Sequence, residues 1–235
     1  MKLPLLSLVE WSDARRIIST RHPPIDLFED IADPADWALL GAAESKTNPR
    51  IAETIGNLDL VPENRRVGGP GASLVMAPFT HVSTDRQGRF HDGNFGAYYA
   101  ARTFKTAVAE TASHRAIFLR ATAEAPGWST QMRELVGSVT ARLHDVRKDG
   151  VFEELLSPDD WGPSRALARV IRDNGGDGIV YPSVRDPGGH CLAAFWPDVI
   201  AIPRPARALG YHFDGEHIDL VRDEDTGTVW RLIRD

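Results

Sequence analysis

A chain of 235 residues with a formal net charge of -6 is long enough for one large domain or two small ones. It is a poor match to a nucleic-acid binder, whose surface is ordinarily basic. Its apolar fraction of 42% and charged fraction of 26% are those of ordinary soluble globular proteins. The lone Cys191 excludes an intrachain disulfide and a multi-cysteine zinc site and fits a reducing cytoplasm. The N-terminal "MKLPLLSLVEWSDARR", broken by Glu10 and Asp13, is too short and too polar for a signal peptide or membrane span.

In chain order, residues 1–60 read as a helical extension packed on the core. Asp33-Pro34 starts one helix through "ADWALLGAAES", and Asn48-Pro49 starts a second that stops at Gly56. After "ENRRVGGPGAS" the pattern turns to strands, "ASLVMAPF" and then "FGAYYAA". Thr103 is an N-cap for a helix through about His114, with Phe104, Ala107, Val108 and Thr111 on one face. "LVGSVTARLHDV" alternates like a long strand, and a helix runs from about Ser164 to the stop at Gly175-Gly176. "DGIVYPS" and "HCLAAFWP" are strands separated by "VRDPGG"; residues 203–235 form a terminal hairpin of the same globule. Strands and helices mix without regular βαβ alternation, which predicts an α+β fold rather than a doubly wound sheet.

Few residues stand out as chemistry. On the Thr103 helix, Glu110 lies at the border of the apolar face, in line with Ala107 and His114, where a carboxylate reaches a cleft beside the core. Arg89 sits in a turn, with Gly88 and Gly93 leaving room for a ligand to approach, and is suited to a bidentate grip on phosphate. Tyr98 and Tyr99 are strand neighbours and face opposite sides. Ser183 ends a strand before a Pro-Gly-Gly turn, with no G-x-S-x-G elbow around it. His190 and Cys191 point apart, so Cys191 reads as a small buried hydrophobe rather than a nucleophile. "GGPGAS" lacks the Lys of a P-loop, and no histidine spacing indicates a metal.

Taken in order, "RRV" at Arg66, "GRFHDG" at Arg89, "AYYAARTFKTAVAE" from Tyr99 to Glu110, and "GIVYPSVRDPGG" at Ser183 resemble the RES domain, named for its recurring Arg, Glu and Ser. The resemblance runs from about Arg65 to Asp198 and sets the domain at residues 61–202. It implies a fold similar to ADP-ribosyltransferase toxins. It also implies an enzyme that degrades NAD+ as a substrate, by phosphorolysis or hydrolysis of the nicotinamide–ribose bond, with phosphate as the co-substrate in the first case. In that reading Arg89 and Arg66 (or its neighbour Arg65) clamp the diphosphate, and Tyr99 is the platform for nicotinamide. Glu110 faces the ribose, Ser183 orients ribose or nicotinamide, and no metal or cofactor is needed. The implied role is the toxin of a toxin–antitoxin pair, partnered by an Xre-type helix-turn-helix antitoxin. Family toxins often pair, and the segments outside the domain offer surface for a homodimer. ADP-ribosyl transfer to a protein and a catalytically silent interaction module are the alternatives.

Overall fold

Two long strands organise the computed structural model, which describes residues 3–20, 28–48, 54–85, 87–147, 150–158 and 160–232. They are β1 (Leu6–Ser19) and β3 (Gly127–Asp145), antiparallel to each other from Leu6↔His144 to Ser19↔Met132. Between them in sequence comes β2 (Tyr98–Ala101); after them come β4 (Gly178–Pro182), β5 (His190–Ala194), β6 (Arg204–Phe213), β7 (Ile218–Asp223) and β8 (Val229–Arg231). The sheet order is β1-β2-β5-β4-β3-β6-β7-β8, and the β1–β3 pairing closes its first five members into a ring. Among the described strands only the β3–β4 pairing is parallel. The seam of the ring is β1–β2, joined at one register position, Arg15↔Ala101.

The first sixty residues are therefore not a helical extension. Strand β1 is built into the sheet, and helix α1 (Trp37–Glu44) follows it. The second helix expected from Asn48-Pro49 falls largely on residues 49–53, which lie outside the described residues; Gly56 beyond it has φ +73. "ASLVMAPF" is not a strand but helix α2 (Ser73–Thr80). Its Ala72, Val75, Met76 and Phe79 are buried at helical spacing, which the periodicity of so short an apolar run does not by itself distinguish from a buried strand. The C-terminal segment is a three-stranded meander, β6 to β8, rather than a hairpin.

Two longer helices complete the α+β fold: α3 (Phe104–Ala121) and α4 (Gly162–Asp173). Thr103 caps α3 as expected, its Oγ1 accepting the Thr106 N–H at 3.2 Å, and the helix continues past His114 to Ala121. Alternation along the strands divides the interior into two cores. Tyr98, Val180, Leu192 and Ala194 pack with α2 and Trp37 on one face. Ala101, Ile179, Cys191 and Ala193 pack with α3 and α4 on the other. Each Leu or Val so buried contributes about 1.5–3 kcal/mol relative to exposure. Gly96 has no alternative: a Cβ there would overlap the Pro78 carbonyl at the end of α2, where the lead into β2 crosses it.

Candidate functional site

At the β1–β2 seam the sheet parts, and a cavity of about 330 Å³ opens between the two strands, α3 and the loop after β4. Its walls include Arg15, Arg16, Arg89, Tyr99, Glu110, His114, Trp161, Tyr181, Arg185 and Cys191. Four arginines thus face one carboxylate. Arg15 is neutralised by the buried Glu134 on β3, 2.6 Å away. Among the described residues, Arg16, Arg89 and Arg185 form no ion pair.

Glu110 is half-buried, and its Oε1 accepts the Ser183 hydroxyl proton at 2.6 Å. Ser183 Oγ in turn accepts the backbone N–H groups of Arg185 (3.1 Å) and Asp186 (3.0 Å). A hydroxyl has one proton and two lone pairs, so this one is fully committed. Ser183 therefore stands behind Glu110 and orients it, which corrects the expectation that it would meet a ligand directly. The loop itself is pinned to the first turn of α3: Thr106 Oγ1 donates to Asp186 at 2.7 Å, and the Lys105 ammonium lies 2.7 Å from the same carboxylate. The backbone thereby carries Arg185 into the cavity.

Tyr98 and Tyr99 divide between the two faces as the alternation requires. The Tyr99 ring lines the cavity while its hydroxyl accepts the Phe90 N–H at 2.9 Å and meets His91 Nδ1 at 2.9 Å. That contact explains Gly88 better than ligand access does. A Cβ there would stand 2.8 Å from the Tyr99 hydroxyl and inside the His91 ring. Gly93, at φ +87, lies against the backbone of Ser83 and Thr84 and likewise makes no room for a ligand.

Arg89 reaches the cavity as its sequence context suggests, but part of it is structural. Its Nη1 donates to the carbonyls of Leu155 (2.9 Å) and Ser157 (2.7 Å), stapling the segment that leads to Trp161. Burial lowers the pKa of both Arg89 and Arg16, because each charged form has lost water. Arg16 is the more exposed of the two to this cost in chemical terms: its Nη1 holds the Tyr99 carbonyl at 3.2 Å and its guanidinium lies 4.6 Å over the Tyr98 ring. Its buried Nε has no partner among the described residues. Such a group is suited to an anion supplied from outside.

The structure does not bring Arg66 or Arg65 to this cavity. Arg66 donates to three carbonyls, those of Val61 (3.1 Å), Pro34 (3.3 Å) and Leu58 (3.2 Å), and so ties the first sixty residues to the rest. Arg65 is held by Asp177 at 2.8 Å and Asp198 at 2.9 Å. The cations that sequence reasoning missed are Arg15 and Arg16, hidden in a segment read as helical, and Arg185, on the loop after Ser183. His114 was noted only as a neighbour in line with Glu110; it lines the same cavity one helical turn on. Burial lowers its pKa, with Arg185 and Arg89 acting the same way against the attraction of Glu110, so its imidazole is neutral at pH 7. Cys191 is buried, and burial pushes its thiol well up, as suits an inert side chain. Among the described residues no three His, Cys, Asp or Glu side chains gather as metal ligands, and no helix is long and apolar enough to cross a membrane.

A ring-forming mixed sheet with an arginine-rich cleft around one oriented carboxylate defines the class: an α+β protein whose cleft gathers several cationic side chains about a single acidic one. The RES domain family matches residues 64–214. The chain belongs to that family. It is 28% identical over 206 residues to an uncharacterized protein, y4oC, of Sinorhizobium fredii (strain NBRC 101917 / NGR234), covering 88% of this chain and 85% of that one. A solved structure, the M. tuberculosis MbcT-MbcA toxin–antitoxin complex, is similar at a TM-score of 0.43 and 12% identity, covering 88% of this chain and 87% of the other. Strand β1, with Arg15 and Arg16, precedes the span that the family matches.

Proposed function

We propose that the protein cleaves the nicotinamide–ribose bond of NAD+ and serves as the toxin of a toxin–antitoxin pair. One observation carries the reading: in a chain of net charge -6, three arginines without ion-pair partners among the described residues converge on a cavity with a single carboxylate. NAD+ suits such a set because its diphosphate is anionic while its reacting sugar turns cationic.

Arg16, Arg89 and Arg185 bind the diphosphate in this reading, and Arg16 takes the place expected of Arg66. The Tyr99 ring, fixed through its hydroxyl, supports the flat cationic nicotinamide. The N-glycosidic bond breaks with its electron pair going to the ring nitrogen, so nicotinamide leaves neutral and positive charge builds on the ribose, as in glycoside hydrolysis. Glu110, held by Ser183, faces that charge. An acceptor oxygen then bonds to the anomeric carbon. Water as acceptor gives its proton to neutral His114 or to solvent, whereas phosphate attacks as an anion.

The cation excess favours the anionic acceptor. Incubation with NAD+ is expected to release nicotinamide faster with phosphate present, and the mass of the second product identifies phosphorolysis, hydrolysis or transfer to protein. Intact NAD+ after incubation with folded protein overturns the reading. A pH–rate profile tests His114. Its protonation removes the acceptor and adds a cation beside a developing cation, so activity in the absence of phosphate falls as pH drops. The limb is centred below the ordinary 6.5, because burial lowers the pKa, and it is lost in His114→Gln. An unmoved limb assigns the titration elsewhere. Expression in a bacterial host is expected to arrest growth, relieved by an Xre-type helix-turn-helix partner; harmless expression of active enzyme removes the toxin role.

A further inference from the structure

The Glu110 cavity shares one wall residue with a second space. Gln87 lines both it and a shallower groove of about 430 Å³ along α4, whose other walls include Asp92, Asn94, Arg165, Ala166 and Arg169. The boundary between the two spaces is fixed, since Arg165 Nε donates to the Gly88 carbonyl at 3.0 Å. We propose that this groove holds the adenosine half of the dinucleotide and thereby selects dinucleotides over mononucleotides. The assignment deepens the reading above and rests on it for the identity of the ligand.

Size is the first argument. A space of about 330 Å³ lies at the low end of the range of about 300–1,000 Å³ for small-ligand pockets, enough for one nucleotide of the two. The remainder must leave the cavity, and the space on the other side of Gln87 is the groove.

Charge is the second argument. Arg16, Arg89 and Arg185 in the cavity and Arg165 at the junction form no ion pair with described residues, so the positive potential extends to the junction. Beyond it Arg169 is neutralised by the buried Asp92. Cationic character therefore ends where a dinucleotide passes from diphosphate to uncharged nucleoside. The groove offers amide donors and acceptors on exposed Gln87 and Asn94, the chemistry that ribose hydroxyls and a base edge require. Ala166, exposed on α4, leaves a ledge with nothing beyond Cβ to obstruct a flat ring.

Calorimetric binding of ADP and of nicotinamide mononucleotide to the whole protein tests the assignment. Ala166→Phe fills the ledge at an exposed helical position and removes no hydrogen bond; Gln87→Ala opens the junction. Ala166→Phe is expected to weaken ADP at least tenfold and to leave nicotinamide mononucleotide unchanged, and Gln87→Ala to weaken ADP by a smaller factor. ADP affinity unchanged in Ala166→Phe, equal losses for both ligands, or no ADP binding by the native protein each overturn the groove assignment. Cleavage is read separately: ADP binding that depends on Ala166 in a protein that leaves NAD+ intact removes the proposed reaction and keeps the groove.

Discussion

Glu110→Gln is expected to lower kcat for NAD+ cleavage by about 10²-fold while the melting temperature stays where it is. Gln keeps an oxygen able to accept the Ser183 proton, so the 2.6 Å bond and the loop behind it persist and only the charge is lost. Among the described residues Glu110 forms no ion pair, so no structural charge is stranded by the change. One unit charge about 4 Å from a developing cation, at an effective dielectric of about 20, is worth roughly 4 kcal/mol. Only the part gained between ground and transition state counts, because the nicotinamide ring already carries positive charge. That share sets the expected loss below the full Coulomb value. Undiminished turnover in a folded Glu110→Gln variant would take this carboxylate out of the chemistry and leave the cavity a binding site.

The part of the site legible in the sequence is the part whose signal is local. Thr103 as cap fixes the phase of α3 and so places Glu110 on the border facing β2. The strand run through Tyr98-Tyr99 fixes which ring faces α3, and Ser183 is placed by the strand end it follows, although the partner of its hydroxyl, Glu110, is set only by the fold. Strand β1 failed to read as a strand for a specific reason. Its buried positions are Val9 and Trp11 on one side of an irregularity and Ala14 and Ile17 on the other, so no single period of two runs through it. With β1 misread, Arg15 and Arg16 had no place in any site, and Arg66, adjacent in sequence to the domain motifs, took the position. Helix α2 was lost for the opposite reason: eight mostly apolar residues satisfy either period, and what decides is packing against β2 at Gly96, a contact no local pattern contains. The roles of Arg89 and Gly88 divide similarly, since carbonyls from the Leu155 segment and the His91 ring reach them only in the fold.

Arg16 and Arg66 are expected to give opposite signatures when each is replaced by Met. Arg16→Met should raise KM for NAD+ by about ten- to a hundredfold, the equivalent of one charge-assisted hydrogen bond of about 1.5–3 kcal/mol, with kcat changed little. Its melting temperature should hold or rise. The guanidinium is a desolvated cation with an unpartnered Nε and no ion pair among the described residues, and removing such a charge relieves an electrostatic cost while the Met stem can still pack on the Tyr98 ring. Arg66→Met should do the reverse. Three carbonyls lose their donor together, which costs about 2–3 kcal/mol of stability and lowers the melting temperature, and the KM of the protein that remains folded is unchanged. Ligand affinity and thermal stability are thus separated between the arginine that the sequence reading placed in the site and one that it passed over. A raised KM in Arg66→Met together with normal substrate binding in Arg16→Met would return the clamp to Arg66 and require the segment carrying it to reach the cavity on binding.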